Sequence, residues 1–214
     1  MSIRRYSISD ILLINFDQGI RTVFGRSSKP AHPSPIAASE QPTLDSKEQR
    51  RSARLMRVNH TGEVCAQALY QGQALTASRN EVRESMAKAA AEESDHLAWC
   101  EARIDTLGSH PSVLNPLFYL GSFCIGAIAG KIGDRWSLGF VAETEHQVVH
   151  HLEKHLQKLP TEDHQSRAIL ERMKEDEQQH ATQALAAGGV KLPWPIRLVM
   201  KATSKVMTKT TYWI

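Results

Sequence analysis

Three Glu-x-x-His spacings stand out in the chain: Glu93–His96, Glu143–His146 and Glu177–His180. Residues three apart share a helix face, so each pair can offer a carboxylate and an imidazole to one ligand. With 15 Glu and 10 His in 214 residues, random placement supplies about 0.7 such pairs, so spacing alone is a weak signal. Helical phase separates two of the pairs from the third. Glu93 and His96 fall on a stripe with Met86, Ala90, Leu97, Cys100, Ile104 and Leu107, and Glu177 and His180 on one with Leu170, Met173, Ala181 and Ala184. Between them, the stripe Leu138, Val141, Val148, Val149, Leu152, Leu156, Leu159 contains Glu145, while Glu143 lies opposite with Gln147 and Lys154. A fourth inward carboxylate, Glu63, shares a face with Met56, Ala66 and Tyr70, flanked by Asn59, His60 and Gln67.

The pattern repeats. Glu93 to Glu177 and His96 to His180 are both 84 residues, and Glu63 and Glu145 precede those glutamates by 30 and 32. Each half thus offers one lone Glu and then one Glu-x-x-His. A solvated salt-bridge face is the commoner meaning of Glu and His on a helix. Four carboxylates on core-facing stripes without Lys or Arg differ, because burying them unpaired costs several kcal/mol per ion. A divalent metal pair removes that cost, and four Glu with two His is a ligand set that helical bundles build for two irons or two manganese ions. Oxygen-rich donors with two imidazoles and no thiolate favour these metals over structural zinc. Glu93 and Glu177 are placed to bridge, with Glu63, Glu145, His96 and His180 terminal. Glu92 and Asp176 precede the bridging glutamates and are placed to accept the second ring N–H of a ligating histidine. Tyr70, His60, His150 and His151 are further candidates around the site, with packing an equal explanation for each.

The elements that must position these residues read as helices. From about residue 48 to 188 Ala, Glu, Gln, Leu and Arg dominate, with breaks near Asn80, at Gly108–Pro111, at Gly130–Gly133 and at Pro160. Helices over 48–79, 81–107, 135–159 and 161–187 follow, paired into two hairpins joined by a longer segment. The expected fold is all-α, an antiparallel four-helix bundle with an apolar crossover. Residues 1–25 predict a short amphipathic helix rather than a secretory signal, since Asp10 and Asp17 interrupt its apolar run. Residues 26–47 hold four of the nine prolines and read as a tether, leaving 48–214 as the main domain.

Composition excludes several classes. A chain 41% hydrophobic and 23% charged is an ordinary globular one, and +3 is too small an excess to argue for nucleic acid. Three cysteines without a C-x-x-C pair exclude a rubredoxin-type or zinc-ribbon knuckle. Two segments suggest lipid. Residues 109–130 carry no Lys, Arg, Asp or Glu, yet Pro111, Pro116, Gly121, Gly126 and Gly130 are expected to break them, so a crossover lying on the bundle with an apolar face fits better than a span. Within 193–214, Arg197, Lys201, Lys205 and Lys209 form a basic stripe apart from Ile196, Val199, Met200, Val206, Met207 and Trp213, the pattern of an amphipathic helix in an anionic membrane interface.

The order NHTGE (59–63), EESDHL (92–97), PLFYLGSFCIGAIAG (116–130), VAETEHQVVHHL (141–152) and EDEQQH (175–180) resembles the demethoxyubiquinone hydroxylase family of ubiquinone biosynthesis, bacterial type, from about residue 48 onward. That resemblance implies a ferritin-like di-iron monooxygenase, peripheral on the cytoplasmic side of the inner membrane, using O2 to hydroxylate the ring of a demethoxyubiquinol. It places the ligands of two iron ions on Glu63, Glu93, His96, Glu145, Glu177 and His180. A homo-oligomer and a quinone-delivering partner protein are compatible with it, and no nucleic-acid partner is expected. Rival readings are a di-iron hydroxylase of modified tRNA, an iron-oxidising storage bundle, and a metal-free membrane-binding bundle. No Gly-rich dinucleotide motif is present, which argues against a resident nicotinamide or flavin domain and leaves the quinol, NADH or a protein reductase as electron sources.

Overall fold

The computed structural model describes residues 7–25, 30, 32–35 and 43–214. Residues 1–6 and most of the Pro-rich tether lie outside the described residues. Seven helices and no strand occur among those described: α1 (Ile8–Phe24), α2 (Ser46–Thr76), α3 (Asn80–Thr106), α4 (Asn115–Ile132), α5 (Asp134–Lys158), α6 (His164–Ala186) and α7 (Trp194–Thr211). The hairpins α2–α3 and α5–α6 form the expected four-helix bundle, and α4 is the crossover.

Local chemistry sets the boundaries. α2 begins at Ser46, two residues before the expected start, because Asp45 and Glu48 make a reciprocal capping box. The amides of Lys47 and Glu48 donate to Asp45, and the Asp45 amide donates back to Glu48 at 3.0 Å. α6 begins at His164 rather than 161, since Asp163 caps the Ser166 amide. The same carboxylate takes a 2.8 Å ion pair from buried Arg103 of α3, which ties the two hairpins together. Gly133, at φ 138°, turns α4 directly into α5. Asp134 then accepts from the amides of Ser78 and Arg79, locking the α2–α3 corner to the start of α5.

The glycines expected to break the crossover do something else. α4 is continuous through Gly121, Gly126 and Gly130 and lies along α2. A methyl on Gly126 would run into the Leu69 carbonyl, and one on Gly72 into that of Phe123, so both helices need glycine to approach this closely. The opposite face of α4 leaves Leu117, Leu120, Ile128 and Ile132 more than 60% exposed. No helix among the described residues is long and apolar enough to cross a membrane.

The core forms two apolar clusters. One gathers Leu55, Met56, Trp99, Ile104, Leu170 and Met173 with their neighbours, and the other Tyr70, Val82, Met86, Leu138, Val141 and Ala184. On every bundle helix the inward glutamates fall between residues of one cluster and residues of the other. The polar site is thus sealed into the middle of the bundle axis by hydrocarbon at both ends.

Two appendages rest on the bundle. α1 is held by Thr22, whose hydroxyl donates to Gln67 at 2.7 Å. Part of the tether touches the body, because the His32 backbone and Nδ1 both reach Asp95 Oδ2, at 3.1 and 2.7 Å.

Candidate metal centre

Each inward side chain expected from phase is buried: Glu63 at 3% exposure, Glu93 at 0%, His96 at 2%, Glu145 at 2%, Glu177 at 1% and His180 at 8%. One ligand atom from each of Glu63, Glu93, His96 and Glu177 lies within 4.8 Å of the others. His96 Nδ1 stands 3.1 Å from Glu93 Oε2, 3.1 Å from Glu177 Oε1 and 3.7 Å from Glu63 Oε2. His180 Nδ1 mirrors it, 3.2 Å from Glu177 Oε2 and 3.3 Å from Glu93 Oε1. Glu93 and Glu177 therefore each face both imidazoles, the arrangement a bridging pair needs.

The flanking acids cross over. His96 Nε2–H donates to Asp176, which precedes Glu177 on α6, at 3.1 Å, and His180 Nε2–H donates to Glu92, which precedes Glu93 on α3, at 2.9 Å. Each imidazole is pinned by the opposite hairpin with Nδ1 aimed at the carboxylates. Tyr70 donates to Glu145 Oε1 at 2.5 Å. His150 is elsewhere: its side chain is 61% exposed and faces Glu153. It stands about 140° around α5 from Glu145, which turns it to solvent. Glu143, set aside as outward, ties α7 down through a 2.8 Å ion pair with Arg197.

Electrostatics test whether these donors suit a cation. Burial, with the charges of Glu93 and Glu177, holds the Glu63 and Glu145 carboxyls well above the ordinary range. Burial opposes ionisation of Glu93 too, but hydrogen bonds from His180 and His96 outweigh it and draw that group below its usual value. Burial likewise disfavours a charged His180, yet hydrogen bonds to Glu177 and Glu93 push it up to about 12. Glu93 Oε1 is buried, with His180 Nδ1 3.3 Å away but poorly aligned as a donor. Among the described residues the ion pairs of Glu63, Glu93 and Glu177 involve histidine alone, while Arg172 pairs with Asp176 and Glu175 and Lys88 with Glu92, all on the outside of the cluster. Glu63 and Glu145 hold protons only because burial and the neighbouring carboxylates disfavour further negative charge, so four crowded carboxyl groups and two preoriented imidazoles form a donor set that suits hard divalent cations.

A cavity of about 180 Å³ opens beside Glu63, Glu145 and Glu177. Its remaining wall is largely apolar, contributed by α2, α4, α5 and α7 through Leu69, Phe118, Val148, Met200 and Met207. Helical phase within the bundle does not reveal the cavity, because two of its walls come from the crossover and α7. His155, on the stripe of Leu152 and Leu159, is a further inward polar residue. His155 is buried and donates from Nδ1 to Asn59 Oδ1 at 2.9 Å. His60 is buried against Asn115 of α4, whose Nδ2 lies 3.4 Å from its Nδ1, and serves packing there.

The fold and site together define a ferritin-like bundle bearing a carboxylate–histidine centre. A structural neighbour is the bacterioferritin-related protein of Bacteroides fragilis, a dodecameric thioferritin, with a TM-score of 0.52 and 19% identity over 67% of this chain and 88% of that one. At that identity the likeness speaks to fold. The profile described as ubiquinone biosynthesis protein COQ7 matches residues 50–211, and the chain belongs to this family. It is 58% identical to the 3-demethoxyubiquinol 3-hydroxylase of Nitrosococcus oceani, over 99% of both chains. It is 59% identical to that of Pseudomonas putida and 60% to that of Azotobacter vinelandii, each over 99% of this chain and 98% of the relative.

Proposed function

We propose that this chain is a di-iron monooxygenase that hydroxylates the ring of a demethoxyubiquinol in ubiquinone biosynthesis, using O2. The observation that carries the reading is the joint one: full-length identity near 58% to 3-demethoxyubiquinol 3-hydroxylases, in a chain whose buried carboxylate–imidazole cluster opens onto an apolar cavity. We assign the catalytic unit to residues 48–214, with 1–25 and 26–47 as appended helix and tether.

Glu63, Glu93, Glu145, Glu177, His96 and His180 would hold two irons, with Glu93 and Glu177 each facing both imidazoles. When bound, an iron pair supplies reductive activation of O2 and delivery of one oxygen atom to the ring, the other leaving as water. The protein's own part is positional. Asp176 and Glu92 hold the imidazole Nε2 protons, so that Nδ1 is the atom that would give up its proton and ligate when a cation binds. Tyr70 donates to one oxygen of Glu145 and leaves the other for a ligand. Leu69, Phe118 and Val148 exclude water from the space where a ring would lie beside Glu63 and Glu145. A polyprenyl tail would leave between α4 and α7, whose outer faces carry Leu117, Leu120, Val199 and Val206, each at least 61% exposed. Those faces and the basic stripe of α7 support peripheral attachment to an anionic membrane.

The test is conversion of a short-tailed demethoxyubiquinol by the reduced, iron-loaded protein in air. A product about 16 mass units heavier at the ring is expected. Unchanged quinol in the presence of a full iron complement would refute the substrate assignment.

A further inference from the structure

Two polar side chains in the cavity wall take no part in holding metal. His151 of α5 lines the cavity, and its Nε2 is buried without a hydrogen-bond partner. Asn59, one turn before Glu63 on α2, lines it as well. The Asn59 amide is fixed in orientation: Oδ1 accepts the 2.9 Å bond from His155, and among the described residues the only hydrogen-bond partner of Nδ2 is the Met56 sulfur, a weak one at 4.0 Å. The His155 ring also packs on His151, with centroids 3.9 Å apart and planes tilted by 55°. One buried imidazole therefore braces both groups.

Natural structures rarely leave a buried ring nitrogen without a partner, and an orphan in a cavity wall is explained by a ligand that completes it. We propose that His151 and Asn59 orient the substrate ring: His151 Nε2 pairs with one ring oxygen, and Asn59 Nδ2 donates to another. The matching ligand is a small neutral ring with oxygens on different edges and an apolar tail, the hydroquinone class. That identity rests on the hydroxylase reading, whereas the polar pair does not. Burial, with Lys158, Lys154 and His150 nearby, holds His151 down at about 4, so a neutral imidazole meets a neutral ring. An apolar pocket alone would leave the ring free to turn about its tail. Two fixed polar contacts select one orientation, which decides the carbon presented to the carboxylate cluster.

The experiment uses the full-length, iron-loaded protein with His151→Phe, which keeps the ring contact with His155 but has no nitrogen, and His151→Gln, whose amide can restore one hydrogen bond. Turnover of a demethoxyubiquinol with a two-isoprene tail is read together with equilibrium binding of the short-tailed ubiquinone. His151→Phe should keep its iron and thermal midpoint, bind the ubiquinone about tenfold more weakly and raise KM in proportion. His151→Gln should recover most of that loss. Wild-type binding and KM in His151→Phe would overturn the inference, as would a loss that tracks a lowered thermal midpoint and is not rescued by His151→Gln. Should His151→Phe not fold, His151→Leu takes its place. Binding separates the two ideas. Weakened ubiquinone binding in a variant of a protein that hydroxylates nothing would keep the polar pair and refute the hydroxylase, and a wild type that binds no ubiquinone would refute the pair.

Discussion

At the residue scale the site depends on pairs that cross between hairpins. Asp176 sits on the helix of Glu177 but holds His96 of α3, and Glu92 does the reverse for His180. Asp176→Ala should therefore weaken iron affinity at His96 by about 10–100-fold, measured by chelator competition, with helical content unchanged. An unaltered affinity would mean that the imidazole needs no such anchor. The six inward polar side chains were legible in the sequence because helical phase is a strong constraint and polar residues on an apolar stripe need a reason. The roles of the two adjacent histidines were not. His150 and His151 differ by one step of about 100°, enough to put one in solvent and the other in the cavity wall, and only the placement of α2 and α7 decides between them.

At the scale of elements, close contact between α2 and α4 depends on missing side chains. Gly126→Val would press into the Leu69 backbone, lifting α4 from the bundle and distorting the cavity it walls. A loss of about 1–3 kcal/mol in urea unfolding is expected, along with reduced turnover. Gly121, on the same helix, has open space where a side chain would go. Gly121→Ala should accordingly leave stability unchanged or raise it by about 0.5–1 kcal/mol. Equal effects of the two changes would contradict the packing argument. The sequence showed these glycines but not their purpose, because a glycine that breaks a helix and one that admits a neighbour look alike until the partner helix is known. The Asp45–Glu48 capping box, by contrast, is a local signal that was present in the sequence and explains why α2 starts at Ser46.

For the whole molecule, buried neutral histidines couple folding to pH. Burial, with His151 and Lys158 nearby, holds His155 down at about 2, against about 6.5 when unfolded. Between those values the unfolded chain binds the proton and the folded one does not, so this group's contribution to stability falls as pH drops below about 6.5. Other groups titrate over the same range, so the difference between wild type and variant isolates it. Relative to wild type, His155→Leu should gain about 2 kcal/mol on going from pH 7 to pH 5, read from urea midpoints. No change in that difference would mean that His155 is protonated in the folded state. The outer surface gives a second expectation. Lys201, Lys205 and Lys209 on α7, beside exposed Val199, Val206 and Trp213, should make binding to anionic vesicles stronger than to neutral ones and sensitive to salt. Reversing the three lysines to glutamate should abolish the difference, and undiminished sedimentation with anionic vesicles would place the contact elsewhere. The tether was legible only as composition, and the contact of His32 with Asp95 was not, since nothing local in a Pro-rich stretch says where it lands.

If the buried carboxylate–imidazole cluster holds two irons, iron per chain in anaerobically prepared protein will show it. About two irons are expected in the wild type, with a marked loss in Glu93→Ala and Glu177→Ala and little change in Glu143→Ala, the outward glutamate of the third Glu-x-x-His. No bound iron in the wild type, or equal iron in all three variants, would mean that the cluster is not a metal centre and would leave the four buried carboxylates without an explanation.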